Sequence, residues 1–167
     1  MMTRLSKCAL VFGVAFFFSL VVFNNTSDYD SNFQFVRHVL MMDSTFPGNH
    51  GMWRALNHPE IHKIFYFSII CWESMVCILC WWGFIRLLKK RGASAIEFER
   101  AKSVAVAALT LGCLLWFIAF LCVGGEWFLM WQSKTWNGQD AAFRMFVVLA
   151  VILIYLSLPE ASPEKTT

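Results

Sequence analysis

A carboxylic acid in the middle of a long apolar run is the residue best placed to do chemistry in this chain. Glu73 lies nine residues into the run from Ile64 to Leu88. At 1.5 Å per residue that is roughly 13 Å deep, near the midplane of a ~30 Å hydrocarbon layer. An acid at that depth is costly, so it should face the interior of a helical bundle, protonated or paired. It could relay protons or hold a cation. The plainer role is a bond across helices to Ser68, Tyr66, Thr110 or a backbone carbonyl. One acid without a second deep acid or base makes a poor proton pathway.

A second group of candidates falls in GGEWFLMWQSKTWNGQDAAFR, residues 124–144, which joins two apolar runs. Glu126 and Arg144 stand at the facing ends of consecutive spans. The expectation is an ion pair pinning the hairpin; the sharper reading is a ligand or ion site. Trp127 and Trp131 are four apart and share a face if the segment is helical. Tryptophans at this depth anchor a chain at the membrane interface. An aromatic cage for a cationic or quinone-like ligand is the alternative.

The connection from Asn24 to Lys63 carries all four histidines, His38, His50, His58 and His62. His38, Met41 and Met42 stand at i, i+3 and i+4, and imidazole with thioether suits copper. The spacing matches no strong metal template, and solvated or capping histidines are the simpler account. Cys77 and Cys80 have the C-x-x-C spacing of a redox pair. Their neighbours are Met75, Ile78, Leu79 and Trp81, which favours packing over thiolate chemistry. No Gly-rich phosphate loop, nucleophile elbow or zinc-protease motif is present.

The elements that position these residues follow from composition. Hydrophobic residues make up 58% and charged residues 15% of 167. Soluble domains sit nearer 45–50% and about 25%. With a mean hydropathy of +0.56, the class is a polytopic membrane protein. No basic run interleaved with aromatics lies in a soluble region, which excludes nucleic acid as a partner. Spans are expected at about 5–23, 64–88, 101–123 and 141–158, with connections of about 24–63 and 124–140 on one side. The first run ends Val22-Phe23-Asn24-Asn25 without a small-residue cleavage site, so an uncleaved anchor is expected rather than a signal peptide. Asn32–Met42 should form a short amphipathic helix, and Pro59 should occupy the first turn of the second span. Small residues at four-residue spacing, Ala101–Ala105, Ser103–Ala107 and Ala108–Gly112, should let the third span approach its neighbours closely. Gly124 and Gly125 are expected to close that span.

Lysine and arginine set the orientation. Nine lie at the two ends and in the second connection, and five lie on the other side. That places both termini in the cytoplasm. The two remaining connections are then both outside, where they can pack on each other.

Several stretches also carry a resemblance. They include Asn25-Thr26-Ser27-Asp28-Tyr29, Asn32 through Leu40, Met42-Asp43, Met52-Trp53-Arg54, Ala101-Lys102, Gly124 through Ser133 and Trp136-Asn137-Gly138-Gln139. Over roughly Cys8 to Leu158 the chain resembles a bacterial family of predicted small integral membrane proteins, domain of unknown function 2165. The resemblance implies a four-span protein of the inner membrane. It implies no activity, cofactor or partner.

The expected architecture is all-α: a single integral membrane domain, a four-helix transmembrane bundle with an extracytoplasmic cap built from the first long loop and the third loop. The expected function is a non-enzymatic accessory or assembly factor with an external binding surface. Besides the lipid bilayer, its partner would be a membrane protein or a second copy of the chain. The alternative is a redox or ligand-handling protein that binds quinone or a metal between cap and bundle.

Overall fold

A computed structural model describes residues 2–160. The helices are α1 (Met2–Ser27), α2 (Tyr29–Met41), α3 (Pro59–Lys90), α4 (Ala95–Ala101), α5 (Ser103–Leu114) and α6 (Gln139–Ser157). A π-helical segment, Leu115–Trp127, continues α5. The described residues contain no strand. Four helical stretches are long and apolar enough to cross a membrane: Met2–Ser27, Pro59–Lys90, Ala95–Trp127 and Gln139–Ser157.

Each of the first three outruns the apolar run that marks it. α1 continues to Ser27 because Thr26 stays on the helix, its hydroxyl donating to the carbonyls of Val22 (2.8 Å) and Phe23 (3.0 Å). α3 starts at Pro59, whose missing N–H costs nothing in a first turn, and Glu60 adds negative charge at the positive end of the dipole. The third span begins at Ala95 behind a capping box. The Ser94 hydroxyl accepts from the Glu97 amide, and the Glu97 carboxylate accepts from the Ser94 amide. Gly124 and Gly125 do not end this span; both are buried within the π-helical segment, which runs on to Trp127.

Small residues set the helix approach. A Cβ at Gly83 would lie 2.8 Å from the backbone of Ala105, and one at Gly112 would lie 2.9 Å from Leu149. Ala101, Ala105, Ala108 and Gly112 are buried, whereas Ser103 and Ala107 are exposed. Two of the three small-residue pairs, Ala101–Ala105 and Ala108–Gly112, therefore face the bundle, and Ser103–Ala107 does not. The core around it is aliphatic and aromatic, with Val11, Phe18, Val76, Leu87, Leu109 and Leu149 at its centre.

The two ends of the bundle differ in kind. The end bearing Met2 and Glu160 is tied by charge. Lys7 Nζ donates to Glu160 Oε1 and to the Leu158 carbonyl, both at 2.7 Å. Lys102 Nζ donates to the same carbonyl and to Glu99 Oε1, both at 2.8 Å. Arg4 reaches Glu160 Oε2 at 3.0 Å and the Ala93 carbonyl at 2.6 Å. Lys7 and Lys102 are buried, so each depends on these acceptors. Burial pushes the Glu160 carboxyl upward, but hydrogen bonds from Lys7 and Arg4 and the charges of Lys7 and Lys102 outweigh it. Its pKa falls below the ordinary value.

The opposite end is closed by a second apolar cluster. Val36, Val39 and Leu40 of α2 pack with Met42, Tyr66, Ile70, Phe128 and Met130. The two connections there touch directly. Ser44 Oγ donates to Ser133 Oγ at 2.7 Å, and the Phe46 amide donates to Gln132 Oε1 at 3.0 Å.

Candidate functional site

Glu73 sits at the middle of α3 and is 2% exposed. Its partner is none of the four groups expected from the sequence. Asn25 Nδ2 donates to Glu73 Oε2 at 2.5 Å, and the Tyr66 hydroxyl donates to the Asn25 carbonyl at 3.0 Å. Tyr66 is itself held edge-on against Tyr29, ring centroids 4.7 Å apart. The carboxyl is thus held by one hydrogen bond, from an asparagine that lies on a helix only because α1 runs past Phe23.

A cavity of about 270 Å³ lies beside this pair, lined among others by Glu73, Asn25, Asn32, Tyr66, Trp116 and Phe120. Trp116 contributes an unusual group: its Nε1 is the one buried side-chain polar atom among the described residues that has no hydrogen-bond partner. An unpaired buried N–H calls for an explanation, because its lost hydration costs on the order of 1–3 kcal/mol. A second cavity of about 270 Å³ is lined by apolar side chains such as Phe65, Trp72, Ile118, Val123 and Phe128, with Ser68 the one hydroxyl. Phe35, Val36, Ile69 and Phe120 line both spaces. A mostly apolar space with a few polar groups on its wall and an almost wholly apolar one therefore adjoin. Together they reach the size of small-molecule pockets, about 300–1,000 Å³.

The π-helical segment forms one side of both. Leu115, Ile118, Ala119 and Val123 line the apolar space, Trp116 lines the polar one, and Phe120 lines both. Where α5 passes into it, Trp72 Nε1 donates to the Leu111 carbonyl at 3.1 Å. At its far end the Phe128 amide reaches back five residues to the Val123 carbonyl at 2.9 Å. π-helical geometry is rare and concentrates at functional sites.

The remaining candidates lie elsewhere. Glu126 and Arg144 are both exposed, and no ion pair joins them among the described residues. The expected pin is replaced by Arg54. Its guanidinium lies over the rings of Trp127 (5.5 Å) and Trp53 (5.9 Å) and donates to the Glu126 carbonyl at 3.5 Å. Trp127 and Trp131 do not share a helical face. Leu129 takes a positive φ of 55° between them, and a 3₁₀ turn, Met130–Gln132, follows. Each meets a different aromatic of the first connection: Trp127 meets Trp53 and Trp131 meets Phe46, both at 5.7 Å and edge-on.

His38, Met41 and Met42 do not converge either. His38 Nδ1 lies 2.6 Å from Asp43 Oδ2, and the ring stacks on Trp136 at 4.5 Å. Met42 caps α2 in the left-handed conformation and is buried in the apolar cluster. His62 is spent on the Leu56 carbonyl at 2.6 Å. Among the described residues no three His, Cys, Asp or Glu side chains gather as a metal site would require.

Asn25 and Trp116 are the site residues that sequence reasoning passes over. The signal for Asn25 lies in the register of the packed helices, not in the sequence. Ser19 meets Cys77 and Phe12 meets Phe84 across the antiparallel pair α1–α3. Stepping up that pair brings Glu73 level with the last turns of α1.

Four apolar helices long enough to cross a membrane, with half-open cavities between their side chains near one end, define a small polytopic integral membrane protein. Its family can be given more closely. The model for domain of unknown function 2165, described as a predicted small integral membrane protein, matches residues 3–159, and the chain belongs to that family. Neither the curated proteins nor the solved structures searched contain a match to it.

Proposed function

We propose that this is an inner-membrane ligand-handling protein that holds an amphiphile of the prenylated-quinone type between its cap and its bundle. The observation that carries this reading is the pairing of two compartments. One offers the buried Glu73 carboxyl and the unpartnered Trp116 N–H; the other is lined almost wholly by apolar side chains. A planar head with hydrogen-bonding oxygens suits the first, and a long apolar tail suits the second. The reading is one of binding: no set of catalytic groups is assigned.

Solvent extraction of the detergent-purified protein, followed by mass spectrometry, tests it. The expected result is a stoichiometric lipid-soluble head-and-tail molecule, depleted at least several-fold in Glu73→Gln and Trp116→Phe. A protein free of any such molecule, or equal yields from all three forms, would overturn it.

The orientation proposed with it has both termini in the cytoplasm, supported by the nine-to-five division of Lys and Arg. The α2 layer and its two connections then form an extracytoplasmic cap. A reporter active only outside the cytoplasm, inserted after Lys134, should be active; the same reporter inserted after Gly92 should be silent.

A second reading, an accessory or assembly factor, draws on a different observation. Phe46, Trp53, Trp127 and Trp131 are all exposed large aromatics on the cap. Tyrosine, tryptophan and phenylalanine are enriched at protein interfaces. A membrane-protein partner or a second copy of this chain would cover them. Crosslinking that recovers one defined partner, lost in Trp53→Ser/Trp131→Ser, is the outcome expected under that reading.

A further inference from the structure

The end of the bundle that bears the termini holds a feature unrelated to the Glu73 cavities. Where α3 ends and α4 begins, a recess of about 280 Å³ is lined by Arg86, Lys89, Lys90, Arg100, Glu97 and Ala101. Four cations meet one carboxylate. Glu97 is already engaged, pairing with Lys90 at 2.8 Å and capping α4 through Ser94. Arg86, Lys89 and Arg100 have no ion-pair partner among the described residues. Arg86 is half-buried and is held by its own bond to the Arg100 carbonyl at 3.5 Å. The cations therefore surround the recess with few local acceptors.

What lies beneath narrows the occupant. Ile78, Trp82 and Ile85 are exposed on α3, by 67%, 55% and 44%, and stand on the same face as Lys89 at spacings of four and three. A strip of lipid-facing apolar side chains thus leads directly up to the cationic recess. We propose that this recess binds the phosphodiester headgroup of an anionic phospholipid, whose acyl chain lies along Ile78, Trp82 and Ile85. A basic pocket between helix ends at the lipid surface is suited to such a headgroup. A guanidinium adds a planar fork that matches two phosphate oxygens at once. A free phosphate would use the same cations, but nothing in it would engage the apolar strip.

Native mass spectrometry of the full chain in mixed micelles of phosphatidylglycerol and phosphatidylcholine tests this. The wild type should retain one phosphatidylglycerol in preference to phosphatidylcholine. Arg86→Gln should weaken that preference roughly fivefold, as should Lys89→Gln at an exposed position without an ion-pair partner among the described residues. Lys134→Gln, at the other end of the bundle, should change nothing. Equal retention of the two lipids by the wild type would overturn the proposal, as would a preference unaffected by both Arg86→Gln and Lys89→Gln. Displacement of the lipid by millimolar inorganic phosphate would overturn the lipid assignment in favour of a free-anion site.

Discussion

Asn25 carries more of the Glu73 site than its place in a polar-looking stretch suggests. Among the described residues it is the only side chain bonded to the buried carboxyl, and it passes the contact on to Tyr66 through its own carbonyl. Asn25→Leu leaves the acid buried and unpartnered, which should cost about 1–3 kcal/mol. Glu73→Gln keeps an acceptor for Asn25 and should cost about 1 kcal/mol or less. Thermal unfolding of the three forms in one detergent checks both, and a Glu73→Gln loss as large as that of Asn25→Leu would contradict the account. Glu160 gives a pH dependence. Its folded pKa lies below its unfolded one, so the stability it contributes is present above about pH 4.3 and is lost as pH falls through the folded value. Acid melting curves should therefore show a loss below about pH 4 in the wild type that is reduced in Glu160→Gln, a variant less stable at neutral pH. Glu73 itself was legible from the sequence, because an acid in an apolar run stands out. Its partner was not, since nothing local distinguishes an asparagine in a last helical turn from one in a loop.

The helices were legible in number and order, and their ends less so. Hydropathy marks where a helix meets lipid, whereas α1, α3 and the third span end on hydrogen bonds and caps at Thr26, Pro59 and Ser94. The π-helical segment could not be read at all. Apolar periodicity is blurred in a run as uniformly hydrophobic as Leu115–Val123, so the shift from four- to five-residue bonding leaves no trace in the pattern. The small-residue spacing was legible, but it offered three pairs, and only packing puts Ala101–Ala105 and Ala108–Gly112 inside and Ser103–Ala107 outside. Gly83 opposite Ala105 is the tightest point of that choice. Gly83→Leu should force α3 and α5 apart at a cost of about 1–3 kcal/mol, while Ala107→Leu on the exposed stripe should cost far less. Melting temperatures of the two variants decide the matter, and equal losses would place the wrong stripe inside.

Seen entire, the molecule divides its polar interactions by end. Buried ion pairs close the end with Met2 and Glu160; stacked aromatics and apolar side chains close the other, where the pair Lys63–Glu60 is exposed. That division explains why Glu126 with Arg144 misleads as a pair. At the aromatic end a cation is held over tryptophan rings, as Arg54 is, so a carboxylate partner is not required. The same division separates the two proposed ligands, with the Glu73 cavities beneath the aromatic layer and the cationic recess at the opposite end. Arg86→Gln should accordingly leave any molecule extracted from the Glu73 site unchanged in amount.

The charged closure has a consequence for how the chain is made. Lys7 and Lys102 belong to the first and third spans, yet two of their acceptors, the Leu158 carbonyl and Glu160, follow the fourth. Until the ribosome has passed residue 160, Lys7 lacks both of its acceptors and Lys102 has only Glu99. Residues 158–160 thus act as the clasp that completes assembly. A chain that ends before them should therefore be degraded faster in the membrane than the full chain, and pulse-chase labelling of the two would show equal lifetimes if the contacts at 158–160 did not matter.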